Sequence, residues 1–200
     1  MELLELSKKR LKEENNKLFN LIIKEYNFDL VIFIARGSYL IGKELADMNN
    51  VPLLEIFATR KGGKFKKIIS PILKIIPKRI KNILRDKEFN SNYHEKNNDR
   101  KIYFDEKIWK KYNDKKNILL VDDSVDTGYS ILYAKNEIEK YFSNSTVKVG
   151  AINCFKKSKN IVNTDFYLYS DVLLLGPWSN DSKENYEYIK EYEDWHEKQK

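Results

Sequence analysis

The chain has 200 residues, of which 42% are hydrophobic and 34% are charged, and its formal net charge is +7. This size suits one α/β domain with a core beneath a well-solvated surface, and the only cysteine, Cys154, excludes an internal disulfide. No apolar run is long enough to span a bilayer, and the first ten residues are too charged for a signal peptide, so we expect a cytoplasmic protein.

The N-terminal part of the chain predicts a helix followed by a strand–turn–helix–strand unit. Apolar positions spaced among charges predict a helix over residues 2–26 that packs on the core. The continuous apolar run Phe28–Ala35 is typical of a buried strand. An Arg-Gly turn follows it, and the next helix should end near Asn49 and Asn50. Residues Val51–Ala58 predict a second strand.

Residues 60–116 form a basic insertion that is too long for a structureless loop in a compact domain. It holds 19 Lys/Arg and 7 Asp/Glu, a net +12, and residues 60–85 alone hold ten Lys/Arg and no Asp/Glu. Apolar residues recur there at three- and four-residue spacing, and Pro71 and Pro77 divide the run, which predicts two or three short helices.

Residues 60–85 have several candidate partners. A basic amphipathic segment suits an anionic membrane surface, an acidic partner, or an acceptor with a lipid or phosphate tail. A helical cap that packs on this domain or on a second copy explains the pattern equally well. Nucleic acid is disfavoured, because the aromatic residues do not interleave with the basic ones as a stacking platform requires.

The most informative stretch is Ile118–Ser130. Its apolar strand, Ile118–Val121, ends on two adjacent carboxylates, Asp122 and Asp123, and an Asp-Thr-Gly turn then leads into a helix near Tyr129. A strand, a short loop and a helix N-terminus make a cradle for phosphate, because free backbone amides and the helix dipole favour an anion there. The two carboxylates suit ribose hydroxyls, with Mg²⁺ offsetting their charge.

This stretch resembles the binding loop for 5-phosphoribosyl-1-pyrophosphate (PRPP) in type I phosphoribosyltransferases. That pattern is an apolar run, two acidic residues, two further residues and Asp-Thr-Gly-x-Ser/Thr, and every position is met. The resemblance implies Mg²⁺ at Asp122 and Asp123, and Asp126 as the general base for the acceptor. The implied PRPP-binding residues of the loop are Asp122, Asp123, Ser124, Val125, Asp126, Thr127, Gly128, Tyr129 and Ser130.

The turn after the first strand resembles the pyrophosphate-binding turn of the same family. Carried over, Arg36 and the backbone of Gly37 and Ser38 bind the pyrophosphate of PRPP, and Arg36 also stabilises it as it departs. Ser38 stands where the purine-salvage branch has a second glycine. The Arg-Gly pair alone is a weak motif, and its order relative to residues 122–130 favours the functional interpretation.

Two C-terminal segments resemble acceptor-binding parts of the family. The strand Thr146–Phe155 ends at Lys156, which by resemblance binds an exocyclic oxygen of the nucleobase, and a solvated lysine pair with Lys157 is the alternative. Residues 165–181 resemble the base-binding strand of bacterial xanthine-guanine phosphoribosyltransferases. The implied acceptor-binding residues are Lys156, Leu173, Leu174 and Trp178.

Two departures from that base-binding pattern bear on the acceptor. Leu173 replaces the aromatic residue that stacks on the purine, and Ser179 replaces a carboxylate for which Asp181 is a substitute. Without a stacking ring, the acceptor is expected not to be a standard purine. For Trp178 a core position is the favoured interpretation.

Together the resemblances imply a fold and a reaction. The expected fold is a single α/β domain, residues 1–200, with a mainly parallel five-stranded sheet, helices on both faces, the basic helical insertion and a small hood from the chain ends. The expected activity is Mg²⁺-dependent transfer of a phosphoribosyl group from PRPP to a small-molecule acceptor, with release of pyrophosphate. The alternative is a PRPP-sensing regulator without transfer activity, associated with nucleic acid or a membrane. We also expect a homodimer, and peripheral membrane association through residues 60–85.

Overall fold

The computed structural model describes residues 2–60 and 100–199 of the chain. In chain order, the elements of this part are β1 (Leu3–Glu5), α1 (Lys8–Ile23), β2 (Leu30–Ile34), α2 (Tyr39–Asn49), β3 (Leu53–Arg60), β4 (Arg100–Tyr103), α3 (Glu106–Trp109), a 3₁₀ turn (Lys110–Tyr112), β5 (Asn117–Val125), α4 (Tyr129–Tyr141), β6 (Thr146–Cys154), a 3₁₀ turn (Lys156–Asn160), β7 (Phe166–Ser170), β8 (Leu173–Leu175) and α5 (Asn185–Lys198).

The central sheet has six strands in the order β4-β3-β2-β5-β6-β7. Five of these strands, β3, β2, β5, β6 and β7, are parallel, as predicted. The sequence analysis placed the residues of the sixth strand, β4, in the helical insertion. They instead form a strand that runs antiparallel to the end of β3. Phe57 lies opposite Tyr103, and Arg60 lies opposite Arg100. Residues 61–99 lie outside the described part, so the predictions for residues 60–85 and for most of the insertion concern residues that the structure does not describe.

Helices cover both faces of the sheet, which is why its central strands are continuous apolar runs. All five residues of β2 are buried. Val31 and Phe33 face a core formed with α1, α2 and α5, whereas Leu30 and Ile32 face a second core formed with α4. Alternate residues of one strand therefore serve two hydrophobic layers, as expected for a parallel sheet buried on both sides.

The two chain ends meet in a small second sheet. Residues Leu3–Glu5 form β1, which pairs parallel with β8, so the predicted helix over residues 2–26 was wrong at its start. The helix begins only at Lys8, because the side chain of Ser7 caps it by accepting a hydrogen bond from the amide of Arg10 at 3.2 Å. This two-stranded sheet and α5 form the hood that the sequence predicted from the chain ends.

The first βα unit follows the sequence closely. Helix α2 ends at Asn49, and Asn50 adopts a left-handed conformation with φ 51°, which terminates the helix as predicted.

None of the helices in the described ranges is both long and apolar enough to cross a membrane.

Candidate functional site

The two sequence motifs meet at the carboxyl edge of the sheet, where the neighbouring strands β2 and β5 end. Phe33 pairs with Val121, so the turn after β2 lies beside the carboxylates that follow Val121. A Cβ atom on Gly37 would lie 3.0 Å from both Cγ and Oδ1 of Asp123. A side chain there would therefore push the Asp123 carboxylate away, so the glycine favours this close approach. The turn and the acidic loop are thus parts of one site.

The two adjacent carboxylates sit in a shielded position. Strand β5 continues to Val125, so Asp122 and Asp123 belong to the strand end rather than to a loop. Asp122 is buried, and its Oδ1 accepts a hydrogen bond from the amide of Asp123 at 3.0 Å. Burial and then the charge of Asp123 raise the pKa of Asp122 well above its ordinary value. Burial also raises the pKa of Asp123, although hydrogen bonds from its surroundings, including Trp178, oppose that rise.

The chemistry of the carboxylate pair fits a divalent cation such as Mg²⁺. Desolvation disfavours the charge of both carboxylates, and the charge of Asp123 further disfavours that of Asp122. A cation stabilises such a pair, and Mg²⁺ prefers oxygen ligands. Mg²⁺ is commonly held by one or two carboxylates together with substrate phosphates and water. In the described residues, no group of three or more His, Cys, Asp or Glu is arranged to hold a metal by itself.

A small cavity lies between the end of β5 and the start of α4. Its volume is about 80 Å³, and it is lined by Arg100, Asp122, residues 124–128 and Ser130–Ile131. Gly128 has φ 84°, and a Cβ atom there would lie 2.9 Å from Cγ1 of Val162. A cavity therefore lies at the N-terminus of α4, where the sequence predicted a phosphate cradle. Asp123 and Tyr129 do not line it.

Two hydrogen bonds hold the turn after β2, one to the end of β2 and one from helix α5. Ser38 is fully buried, and its hydroxyl donates a hydrogen bond to the carbonyl of Ile34, so the side chain is engaged within the turn. Its backbone amide and that of Gly37 remain the groups assigned to pyrophosphate. Arg36 is half-buried, and the peptide bond that precedes it is cis. The carbonyl of Arg36 accepts a hydrogen bond from the hydroxyl of Tyr188.

Helix α5 contributes a support that the sequence analysis missed. Tyr188 and Tyr192 are buried and nearly parallel, with ring centroids 6.5 Å apart. The hydroxyl of Tyr192 donates a hydrogen bond to Oε1 of the buried Glu55, and Nε2 of His196 lies 3.3 Å from Oε2 of the same side chain. The helix is amphipathic like many others, so no local pattern separates this role from ordinary core packing.

The two lysines after β6 have different partners. Nζ of Lys156 lies 3.3 Å from Oδ2 of Asp171, and the Lys156 amide donates to Oδ1 of Asp171 at 2.9 Å. Nζ of Lys157 lies 2.6 Å from Oδ1 of Asp126, the predicted general base. Lys157, rather than Lys156, is therefore the lysine that reaches the loop between β5 and α4.

The other three predicted acceptor-binding residues lie on β8 or just after it. Leu173 is 48% exposed, whereas Leu174 is half-buried and packs against the core. Trp178 is buried, and it packs so closely over Gly176 that a Cβ atom there would lie 2.4 Å from its ring. Its contact with Asp123 links the hood to the carboxylate pair.

The two polar positions beside Trp178 have different surroundings. The hydroxyl of Ser179 accepts a hydrogen bond from the amide of Gly176 at 3.2 Å, so it belongs to the same turn. Asp181 is exposed.

Arg100 is a second residue of the site that the sequence analysis missed. It lies on β4, only 8% of it is exposed, and its Nε is 3.4 Å from Oγ of Ser130 at the start of α4. No motif includes it, because the pairing of β4 with β3 is what brings it to the cavity.

Known proteins resemble this chain in structure. No protein-family model matches the chain, and no curated protein matches it. A xanthine-guanine-hypoxanthine phosphoribosyltransferase from Helicobacter pylori superimposes with a TM-score of 0.63 at 13% identity, over 92% of this chain and 99% of that one. A purine phosphoribosyltransferase from Pyrococcus horikoshii Ot3 gives 0.59 at 16% identity, over 91% and 97%. A hypothetical protein from Neisseria gonorrhoeae with bound ppGpp gives 0.62 at 14% identity, over 97% of each chain.

These likenesses establish the fold. The chain has the type I phosphoribosyltransferase fold, as the resemblance of residues 118–130 predicted. Sequence identities of 13–16% do not carry a function from one protein to another. The function has to be argued from the site itself.

Proposed function

We propose that this protein is a phosphoribosyltransferase that transfers a phosphoribosyl group from PRPP to a small nucleophilic acceptor and releases pyrophosphate. The observation that carries the proposal is the contact between Gly37 and Asp123. It brings a turn suited to pyrophosphate, a carboxylate pair suited to ribose and a cavity suited to phosphate to one edge of the sheet. These are the three chemical parts of PRPP, and their order along the site follows the order in the ligand.

Each part of the site has a defined task in the proposed reaction. The backbone amides at the start of α4 hold the 5′-phosphate, and Asp122 and Asp123 accept hydrogen bonds from the ribose hydroxyls. Arg36 and the amides of Gly37 and Ser38 hold the pyrophosphate. A bound Mg²⁺, held by Asp122 and Asp123, supplies positive charge that offsets the carboxylates and the phosphates. The ribose is then fixed at both ends.

The bond between the anomeric carbon and the pyrophosphate oxygen breaks, and a bond from the acceptor to that carbon forms. Positive charge develops on the ribose ring in between, so the contribution of the protein is positional and electrostatic. Arg36 stabilises the negative charge on the departing pyrophosphate. Asp126 accepts the proton of the acceptor, which requires its ion pair with Lys157 to open or to shift.

The hood favours an acceptor other than guanine, hypoxanthine or xanthine. Leu173 presents an exposed aliphatic side chain at the position where the resembling enzymes stack an aromatic ring on the purine. Trp178 is buried over Gly176 and offers no free ring face in its place. A small nucleophile with an apolar portion fits this surface better than a flat purine.

A PRPP- or nucleotide-sensing regulator is the second candidate. Two observations favour it: Asp126 is paired with Lys157 at 2.6 Å, and a protein of the same fold has been solved with bound ppGpp. Such a regulator would bind the phosphates and the ribose and would not turn PRPP over.

For residues 60–85, an anionic membrane surface or an acidic partner remains our proposal, as does a homodimer.

The test is binding followed by turnover. PRPP with Mg²⁺ should raise the melting temperature, because a ligand that binds only the folded state stabilises it. The double variant Asp122→Asn/Asp123→Asn should lose most of that shift. The control is Asp114→Asn/Asp194→Asn, which removes two exposed carboxylates and should keep it. An equal shift in both double variants would refute the ribose assignment.

Pyrophosphate release from PRPP, measured with a panel of acceptors, then separates the two candidates. Release with any acceptor supports the transferase. Binding of PRPP or ppGpp without release from PRPP supports the regulator.

A further inference from the structure

We propose that Asn153 is a positioning residue for the acceptor: its side-chain amide holds strand β8, which carries Leu173 and Leu174, at a fixed place beside the ligand cavity. The same amide forms hydrogen bonds with the residue before β8 and with Ser124 at the end of β5. It therefore joins the acceptor side of the site to the PRPP side. This inference rests on the proposed function, because it assigns the acceptor to β8.

The first argument is the place of β8 in the fold. The strand is not part of the six-stranded sheet and pairs instead with β1. The hydrogen bonds between the strands of the central sheet therefore do not fix β8 relative to β5. Asn153 lies on β6, in register with Ser124 of β5 on one side and with Tyr169, near the end of β7, on the other. A side chain at this point can connect the two sheets.

The second argument is a pair of hydrogen bonds between Asn153 and the backbone of Val172. The amide of Val172 donates to Oδ1 of Asn153 at 3.3 Å, and Nδ2 of Asn153 donates to the carbonyl of Val172 at 3.0 Å. A backbone amide can only donate and a carbonyl can only accept, so the two bonds fix the orientation of the side-chain amide. Val172 directly precedes β8, and this pair of bonds therefore sets where the strand begins.

The third argument is the second hydrogen of the side-chain amide. Nδ2 of Asn153 carries two hydrogens, and it also donates to Oγ of Ser124 at 2.9 Å. Ser124 lines the cavity together with Asp122. One fully buried side chain therefore contacts both a residue of the cavity wall and the start of the acceptor strand. Among residues of similar size, an ionised aspartate offers no donor, and leucine offers neither a donor nor an acceptor.

The fourth argument compares Asn153 with the other contact that holds this corner of the chain. Asp171 has φ 59° and accepts a hydrogen bond from the amide of Lys156, and Nζ of Lys156 lies 3.3 Å from its carboxylate. The Lys156 side chain is 79% exposed, so water screens this ion pair. The side chain of Asn153 is shielded from water, and a buried polar group that loses its partner is costly. Asn153 is therefore the stronger of the two contacts.

A displacement of β8 should affect the acceptor and spare PRPP. The groups assigned to PRPP lie on the turn after β2, on the end of β5 and at the start of α4, whereas β8 carries the predicted acceptor-binding leucines. A misplacement of about 1 Å can cost about a hundredfold in rate, because the reacting groups have to meet at a defined distance. Loss of the Asn153 contacts should therefore weaken use of the acceptor while PRPP still binds.

The experiment compares variants of the full-length protein. Asn153→Leu keeps the approximate size of the side chain and removes all of its hydrogen bonds. Ser124→Ala removes only the bond to β5, and Ser124→Thr keeps a hydroxyl there. The matched control is Asn15→Leu, because Asn15 is equally buried and its amide donates to Glu44 of α2.

Three quantities are measured well below the melting temperature of each variant. Calorimetry gives the Kd for PRPP with Mg²⁺. Steady-state pyrophosphate release at saturating PRPP gives the KM for whichever acceptor of the panel the natural protein uses best. Hydrogen exchange followed by mass spectrometry gives the opening of β8, residues 172–175, relative to that of β5, residues 118–122.

We expect Asn153→Leu to raise the acceptor KM by about tenfold or more and to leave the Kd for PRPP within about threefold. Amides of residues 172–175 should exchange about tenfold faster or more, and those of residues 118–122 should stay within about twofold of the natural protein. Ser124→Ala should change the acceptor KM and the exchange of β8 in the same direction, by about threefold. Ser124→Thr should restore most of that change, and Asn15→Leu should alter neither quantity.

Several results would overturn the inference. An unchanged acceptor KM in folded Asn153→Leu would do so, because a residue that only stabilises the core lowers the melting temperature and leaves the KM alone. Equally accelerated exchange in β5 and β8 would also do so. If Asn153→Leu does not fold, as judged by circular dichroism, unchanged acceptor KM and unchanged exchange of β8 in Ser124→Ala are the overturning results.

The proposed function can fail separately. If no acceptor supports pyrophosphate release, the transferase is wrong, and the exchange measurement then decides the role of Asn153. Faster exchange confined to residues 172–175 upholds its hold on β8, and unchanged exchange there overturns it. If release occurs and Asn153→Leu uses the acceptor as the natural protein does, the transferase stands and the role of Asn153 falls.

Discussion

Nζ of Lys157 lies 2.6 Å from Oδ1 of Asp126, so the residue predicted as general base is held in an ion pair. Both side chains are more than half exposed, and ion pairs in such positions contribute little stability because water screens them. An acceptor can therefore displace Lys157 at small cost. The pair holds the carboxylate beside the cradle without closing the site.

The variant Asp126→Asn should lower turnover by about a hundredfold or more and leave the affinity for PRPP nearly unchanged. An amide cannot accept the proton of the acceptor, whereas the cradle is built mainly from backbone groups. Steady-state kinetics and PRPP calorimetry on the same preparation measure the two effects. Asp171→Asn is the control, because Asp171 pairs with the neighbouring Lys156 and not with Lys157. Full activity of Asp126→Asn would exclude its role as the base.

Local sequence could predict the two ligand loops because each is contiguous. Residues 118–130 contain a strand, a glycine with positive φ and a helix start, and each of these has a pattern of its own. Gly37 and Asp123 meet because β2 and β5 are adjacent. The family resemblance therefore located both the fold and the two loops.

Residues brought in by pairing or by side-chain contact could not be predicted in the same way. Arg100 reaches the cavity only through the register of β4 with β3, and nothing within β4 itself indicates this. The contact of Tyr188 with Arg36 joins residues far apart in the chain. The error at Leu3–Glu5 has a similar cause. A strand of three residues is too short for its pattern to be distinguished from the start of a helix. Its partner, β8, lies near the other end of the chain.

The hydroxyl of Tyr188 should act as a positioning group for the pyrophosphate turn. Tyr188→Phe keeps the buried ring and removes the hydrogen bond to the carbonyl of Arg36. A neutral hydrogen bond contributes about 1 kcal/mol, so we expect pyrophosphate with Mg²⁺ to bind about fivefold more weakly. Binding of ribose 5-phosphate should stay the same, because the cradle lies on the other loop.

Tyr186→Phe serves as the matched control on the same helix, since that ring is 80% exposed. It should bind both probes as the natural protein does. An equal loss of both probes in Tyr188→Phe would mean that the hydroxyl supports the fold in general and does not position the turn.

The hood predicts poor use of standard purines. Guanine, hypoxanthine and xanthine should give little or no pyrophosphate release, because Leu173 offers no ring to stack on. Leu173→Trp should strengthen guanine binding by about 1 kcal/mol or more, the typical contribution of a stacked aromatic. Ile23→Trp places the same ring at another exposed apolar position and should have no effect. Turnover of these purines by the natural protein at about 10 per second, a typical enzyme rate, would contradict the prediction.

The tyrosines of α5 should make the protein lose stability in alkaline solution. Burial and then the charge of Glu55 raise the pKa of Tyr192 well above its ordinary value, and burial followed by the charge of Asp123 does the same for Tyr188. In the unfolded chain both hydroxyls lose their protons near pH 10, whereas in the folded chain they keep them. Above about pH 10 the unfolded state therefore binds fewer protons than the folded state. The free energy of unfolding should then fall as pH rises, by up to about 1.4 kcal/mol per pH unit for each of the two tyrosines.

Urea unfolding between about pH 9 and 11.5, with tyrosine absorbance near 295 nm followed in parallel, measures this slope. We expect the two buried tyrosines of α5 to titrate only as the protein unfolds, and burial raises the pKa of Tyr26 and Tyr39 in the same direction. Tyr192→Phe removes one titrating group and should reduce the slope by up to about 1.4 kcal/mol per pH unit, whatever its effect on stability at neutral pH. The matched control is Phe33→Leu, which changes a buried ring near Tyr192 and removes no hydroxyl, so its slope should equal that of the natural protein. A slope in Tyr192→Phe as steep as that of the natural protein would show that Tyr192 releases its proton while the protein is still folded.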